Sequence, residues 1–302
     1  MNLVRNAFLA ATLLLCTARL AVAQDKAANL CSQFADTPHT SPSPEVVEGA
    51  TAYVFKSVKD VGLRLHVFNP PEAATAVRPA VIFFFGGGWM IGSVSDFAPQ
   101  ARYVASRGAT AILADYRTFC RNGVKVESEV SDAADAVRWV RAHARELGID
   151  PKRIAVSGGS SGGHLALTTA VFSQTDSAGT DSMPNLLVLF YPCVDLTNDT
   201  EQEFSGAAIA DQGKRLSPLF HVRSGLPPTF IFQGTADPLY REVQAYCKKA
   251  ADAGNKCQLT EYAEAEHGFF NASSPKGRKW YQTALEAMGA VLAEEGWLAA
   301  RK

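Results

Sequence analysis

Concentrated positive charge is what this chain most plainly lacks. Its 29 Lys and Arg residues are balanced by 30 Asp and Glu, for a formal net charge of −1, and the basic residues form no cluster. Nucleic acid and anionic membrane surfaces are held by such clusters, so neither is expected as the main partner. A membrane-spanning run is lacking too: a bilayer takes about 20 apolar residues. The N-terminal run Ala7 to Leu15 is shorter and is closed off early by Arg19. Cysteine is scarce, six in 302 residues, and its spacing matches no metal-ligand pattern, so no metal or other cofactor is implied. There is no internal repeat and no sign of a second folded domain. Gly86 to Gly88 continue into Trp89-Met90-Ile91 and so do not open a helix as a dinucleotide fingerprint would.

What is present begins with a processing signal. Arg5 supplies a positive n-region, Ala7 to Leu15 an apolar core, and Ala21-Val22-Ala23 a small-x-small cleavage site. Residues 1–23 therefore read as a signal peptide, and the protein is expected to be secreted or periplasmic, with no membrane association after cleavage. Lipid attachment at Cys16 fits less well, because Leu13-Leu14-Leu15 precede it where small residues are preferred. Five cysteines remain, Cys31, Cys120, Cys193, Cys247 and Cys257, and export permits disulfides. Cys247, on a predicted helix, and Cys257, opening the next strand, are the expected pair; the odd count leaves at least one thiol, expected to be buried and inert. Residues 24–50 carry the Pro/Ser-rich run His39 to Pro44 and read as a tether or loosely packed arm. Residues 51–302 suit one large α/β domain.

Within that domain strands and helices alternate. Tyr53 to Val58 and Leu63 to Phe68 predict a hairpin; Ala80 to Phe85 and Ala109 to Ala114 are apolar runs expected of strands buried on both faces. Asp96 is expected to cap a helix running to Arg107. Helical spacing covers Ser131 to Leu147, with Gly148 placed to end it and Asp150-Pro151 blocking continuation. Further strands are predicted at Leu186 to Phe190, Thr229 to Gln233 and Cys257 to Tyr262, and helices at Leu239 to Ala253 and Pro275 to Glu295. The least regular stretch, Thr197 to Leu226, reads as a cap or lid. This order predicts a three-layer α/β/α sandwich around a mostly parallel, eight-stranded sheet.

The most informative stretch is Arg153 to His164: a short apolar strand, a glycine-walled turn holding serines, then the start of a helix. That is the setting of a G-x-S-x-G nucleophile elbow. The pattern fits in two frames, one centred on Ser160 and one on Ser161. The strand residues Ile154 and Val156 end two before Gly158, which favours Ser160 and leaves Ser161 to supply a backbone N–H. In a parallel sheet, functional residues collect at the carboxyl ends of strands. Those ends also hold Gly86-Gly87-Gly88, then Asp237, then His267. A serine hydroxyl needs a base, and the base needs a carboxylate to fix its tautomer, so Ser160, His267 and Asp237 form a candidate catalytic triad. Asp195 is the rival acid, read instead as capping a turn. Asp115 reads as a structural hydrogen-bonding group and His164 as a packed residue. Trp89 and Phe269, beside the glycine loop and His267, read as pocket-lining and substrate-binding.

At these residues the sequence resembles the α/β-hydrolase fold, in its hormone-sensitive-lipase-like and carbohydrate-esterase-like branch. The resemblance spans about residues 50–295. It rests on Phe84 to Trp89, Asp115-Tyr116-Arg117, Gly148 to Pro151, Gly158 to Gly163, Gly234 to Asp237 and His267-Gly268-Phe269. It implies hydrolysis of short-chain carboxylic esters, free or linked to polysaccharide, with oxyanion donors on Gly87, Gly88 and Ser161. Acetyl-xylan and feruloyl esterases are among exported members of the branch. This chain departs from it at Phe85 and Gln233, where histidine is usual or frequent. A prolyl-oligopeptidase-type peptidase shares the triad order but carries a substrate-gating domain for which there is no room here. A non-catalytic binding protein on the same scaffold would have lost triad members, and all three are present.

Overall fold

Apolar runs without polar alternation need cover on both faces, and here they form the middle of one sheet. The computed structural model describes residues 28–42, 44, 46–71, 77–209, 211–271 and 278–299; the signal-peptide reading of residues 1–23 lies outside them. The strands are β1 (Thr51–Val58), β2 (Val61–Phe68), β3 (Arg78–Phe84), β4 (Thr110–Ala114), β5 (Ile149–Gly159), β6 (Leu186–Phe190), β7 (Thr229–Gly234) and β8 (Cys257–Tyr262). Their order in the sheet is β1-β2-β4-β3-β5-β6-β7-β8. The hairpin β1–β2 and its contact with β4 are antiparallel, and every other pairing is parallel. From Pro79 to Phe84, and throughout β4, β6 and β7, every residue is buried, so neither face of the central sheet meets water.

The longer helices are α1 (Ala98–Ser106), α2 (Val126–Ala142), α3 (Ser161–Val171), α4 (Asp199–Ile209), α5 (Tyr240–Asp252) and α6 (Arg278–Glu294). Three boundaries differ from the sequence expectation for local reasons. Ser93, not Asp96, caps the turn Val94–Phe97; Asp96 is the reciprocal member of that capping box, and α1 follows with Pro99 near its start. Helix α2 begins five residues early, with the exposed Glu127 favourably placed in its first turn. It ends at Ala142, and Gly148 adopts φ +64° to pass the chain into β5. Pro151 lies inside β5, at a break in register between Arg78 and Ala80, where a strand tolerates a missing donor. The start of α2 is pinned by Asp132, fully buried, which takes Lys56 from β1 at 2.7 Å and Arg117 at 2.8 Å.

The elbow is built where α3 leaves β5. A Cβ on Gly162 would lie 2.2 Å from the carbonyl oxygens of both Phe84 and Phe85, so the first turn of α3 sits directly on the end of β3. Gly162→Ala is therefore expected to destabilise the fold by about 1–3 kcal/mol or more, as overpacking does. Gly206→Ala, within α4 and only 3.6 Å from a flexible Gln202 side chain, should stabilise by roughly 0.5–1 kcal/mol. Denaturant midpoints of the two variants moving in the same direction would contradict this.

Candidate active site

Ser160 sits between β5 and α3 at φ 56°, ψ −124°, a backbone conformation that L-residues rarely adopt. It is held there by neighbours of β6: its N–H donates to the Phe190 carbonyl at 3.0 Å, and its carbonyl accepts from Cys193 at 3.2 Å. His267 and Asp237 come from the loops after β8 and β7. Those loops are stitched together: Thr235 N–H donates to Tyr262, Ala236 N–H to Ala265, and Glu264 N–H to the Thr235 hydroxyl. As a result His267 Nε2 lies 2.9 Å from Ser160 Oγ, and His267 Nδ1 lies 2.8 Å from Asp237 Oδ2. The second oxygen of Asp237 accepts the N–H of Leu239 at 2.9 Å, and the carboxylate is shut away from water. Hydroxyl, imidazole and carboxylate thus form one hydrogen-bonded line. The Tyr191 ring stands edge-on to the imidazole, with centroids 4.9 Å apart.

Across from this line, β3 runs into Gly86-Gly87-Gly88. The Gly87 carbonyl accepts N–H groups from Met90 and Ile91, curling the loop back; Gly87 has φ 133°, and a Cβ on it would lie 2.1 Å from the Ile91 oxygen. Ser161 heads α3, where the first N–H groups have no intrahelical acceptor and the helix dipole favours negative charge. Where the family resemblance implies histidine, the Phe85 ring stacks on Tyr116 at 4.0 Å, and the Tyr116 hydroxyl donates to the Phe85 carbonyl at 2.7 Å. The loop is propped by tyrosine instead. A cavity of about 490 Å³ opens above Gly86, Gly87, Gly88, Ser160 and His267.

A model of the α/β-hydrolase fold family matches residues 81–271. The chain belongs to that family. It is 28% identical over 264 residues to carboxylesterase NlhH of Mycobacterium tuberculosis, covering 79% of this chain and 80% of that one. Against ethyl acetate hydrolase of Pseudomonas putida it is 28% identical, covering 70% and 73%. Among solved structures, esterase 2 of Thermogutta terrifontis phosphonylated by sarin superimposes with a TM-score of 0.79 at 38% identity, covering 85% of this chain and 98% of that one. The protein is a carboxylic ester hydrolase.

In this hydrolase Trp89 and Phe269 do not line the cavity, contrary to the sequence expectation. Trp89 is wholly buried behind the glycine loop, where its indole N–H donates to His164 Nδ1 at 3.2 Å. Phe269 packs on Tyr262 and edge-on to Tyr191. Both rings support the loops from behind. The wall is made by residues that the sequence reading missed. Phe34 and His39 come from the N-terminal arm, Asp96 and Phe97 from the turn before α1, Tyr191 from the end of β6, and Thr200 and Glu201 from α4. Tyr191 was within reach of the strand-end rule; the arm residues carried no signal beyond a cysteine nearby.

That cysteine is decisive for the arm. Cys31 is disulfide-bonded to Cys120, a pairing the spacing did not reveal, while Cys247–Cys257 pairs as expected. Cys193 is the free, buried thiol. It is not remote from the site, lying 3.8 Å from Ser160 Oγ. Asp195 accepts the N–H and hydroxyl of Thr197, closing a local turn, and Asp115 pairs with Arg121.

His164 is packed. Its Nε2–H donates to the Leu216 carbonyl at 2.9 Å, and burial pushes its pKa down to about 4. A histidine depressed in the folded state is protonated first in the unfolded chain. Its contribution to stability is therefore lost as pH falls from about 6.5 to about 4. His164→Asn is expected to cost most at pH 7, and the difference from wild type should shrink by pH 4.5. Equal differences at both values, measured by denaturant unfolding, would contradict the buried neutral imidazole.

Proposed function

We propose that the protein is an exported serine esterase that cleaves short-chain carboxylic esters through an acyl-enzyme. The observation that carries this reading is His267 bridging Ser160 Oγ at 2.9 Å and Asp237 Oδ2 at 2.8 Å. Ser160 Oγ attacks the ester carbonyl while its proton passes to His267 Nε2. Asp237 fixes the tautomer and balances the imidazolium. The oxyanion is received by the N–H groups of Gly87, Gly88 and Ser161. His267 then protonates the departing alcohol, and water, deprotonated by the same imidazole, releases the acid.

Short acyl groups suit a cavity of about 490 Å³ that must hold both halves of the ester. The related esterase 2 of Thermogutta terrifontis has been solved with propionate and with butyrate bound. The proposed natural substrates are acetyl or feruloyl groups on plant polysaccharide. Export is supported by the pattern of residues 1–23 and by two disulfides, bonds that persist in oxidising compartments.

The test is hydrolysis of p-nitrophenyl esters from acetate to decanoate, with acetylated xylan and methyl ferulate alongside. Rates should peak at the short acyl chains and fall by about 10⁴-fold or more in Ser160→Ala, with a loss of about 10⁴-fold in Asp237→Asn. Wild-type activity in Ser160→Ala would overturn the assignment. Loss confined to Ser161→Ala would move the nucleophile to the other frame.

A further inference from the structure

Glu201 stands in the cavity wall and has no part in the reaction as proposed. It lies in the first turn of α4, where Asn198 Oδ1 accepts its backbone N–H at 2.8 Å, and it is only 6% exposed. Its carboxyl is poorly satisfied for a buried acid. Oε1 accepts a hydrogen bond from Cys193 Sγ at 3.1 Å, and a thiol is among the weakest side-chain donors. Oε2 meets no protein donor among the described residues, on a side chain that faces the cavity. Burial pushes both the carboxyl and the Cys193 thiol up, so the thiol keeps its proton and remains the donor.

The position is close to the chemistry. Cys193 Sγ bridges Glu201 Oε1 at 3.1 Å and Ser160 Oγ at 3.8 Å, and Glu201 is near enough to His267 for an imidazolium to oppose the upward push of burial. Glu201 therefore stands beside the serine and the imidazole that act on the ester. On another part of the wall Asp96 accepts the N–H of Ser93, with His39 4.0 Å away. Among the described residues no lysine or arginine lines the cavity. Two carboxyls faced by histidine but by no described lysine or arginine disfavour anionic esters, and an apolar alcohol would leave Oε2 dry and unpaired.

We propose that Glu201 binds a hydroxyl group on the alcohol portion of the substrate, so that the enzyme selects acyl esters of polyhydroxy alcohols, glycerol- or sugar-like, over esters of plain alkanols. A hydroxyl both donates and accepts, so it pairs with the carboxyl in either protonation state. The inference rests on the serine-esterase reading above and names the substrate class for that site. Glu242 is the contrasting acid: behind the wall, its oxygens accept from Val194 N–H at 3.3 Å and Asn198 Nδ2 at 2.6 Å, and it does not reach the cavity.

The test compares kcat/KM for 2,3-dihydroxypropyl acetate and propyl acetate, which share an acyl group and a chain length. Wild type is expected to favour the dihydroxy ester by about tenfold or more, the factor for one hydrogen bond to a carboxylate. In Glu201→Leu that ratio should fall to near one. Glu201→Gln, which can still pair with a hydroxyl, should keep most of it, and Glu242→Gln should leave it unchanged. No preference in wild type overturns the proposal, as does a ratio that survives in Glu201→Leu or collapses equally in Glu242→Gln. Acetylcholine preferred over the dihydroxy ester would overturn it in favour of a cation site. Labelling of Ser160 by a fluorophosphonate, run on every variant, separates the two readings. An unlabelled, folded wild type defeats the serine-esterase assignment itself, whereas labelled variants with unchanged ratios defeat only the role of Glu201.

Discussion

The site depends on a contact that leaves no room for a side chain. Where α3 leaves β5, a Cβ at Gly158 would fall 2.4 Å from the Gly162 carbonyl, and one at Gly162 2.2 Å from two carbonyls of the β3 end. Helix, strand and neighbouring strand meet backbone to backbone. Only that approach lets Ser160 project from a turn at φ 56° with the first N–H of α3 beside it. Such a conformation costs of order 1–3 kcal/mol. It is offset locally by the hydrogen bonds from Ser160 to Phe190 and from Cys193 to Ser160, which tie the turn to the next strand. Because β3 supplies both the carbonyls under α3 and the glycines that follow them, the proposed nucleophile and its oxyanion donors share one rigid foundation.

Around that foundation the buried acids divide by how completely they are satisfied. Asp237 has a ring nitrogen on one oxygen and a backbone N–H on the other, so its geometry is fully specified and it can hold His267 in place. Asp132 is similarly closed by Lys56 and Arg117, and its work is to anchor α2. Glu201 is left with a thiol. A carboxyl with one oxygen open toward a cavity is a poor structural device, because burial without a partner is costly. Fully buried Glu129 also lacks a partner on either oxygen among the described residues, so it is the place of Glu201 in the cavity wall that makes its open oxygen available to a ligand.

The fold was legible because its central strands are continuous apolar runs of the right length: β6 begins and ends where the residue pattern places it, as does the more polar edge strand β8. The candidate triad, whose three side chains the fold brings into one hydrogen-bonded line, was legible because parallel sheets collect function at strand ends, a rule that needs only the order of elements. Helix limits were less so. The turn after Ala142 is built from residues that would equally continue a helix, and only tertiary packing stops it. Trp89 and Phe269 misled because adjacency to a catalytic loop in sequence does not say on which side of it a ring packs; both lie behind. Glu201 could not be found at all, since nothing in an irregular stretch tells which of its residues meets a cavity formed by other elements.

The arm shows the same limit. Its Pro/Ser-rich composition suggests slack chain, yet Phe34 and His39 are part of the cavity wall and the His39 carbonyl accepts the Gly92 N–H. What holds it is Cys31–Cys120, closing a separation of 89 residues, for which chain entropy alone predicts about 4–5 kcal/mol of stabilisation. Cys120 is not an arbitrary anchor. Its own N–H and that of Phe119 donate to the carbonyls of Met90 and Trp89, immediately after Gly86 to Gly88. One disulfide therefore fastens the arm, which contributes Phe34 and His39 to the cavity wall, to the segment that shapes the glycine loop. In a reducing cytosol the thiols would stay apart and two of the wall residues would lose their tether. That tether supports the proposed export, to which the pattern of residues 1–23 also points.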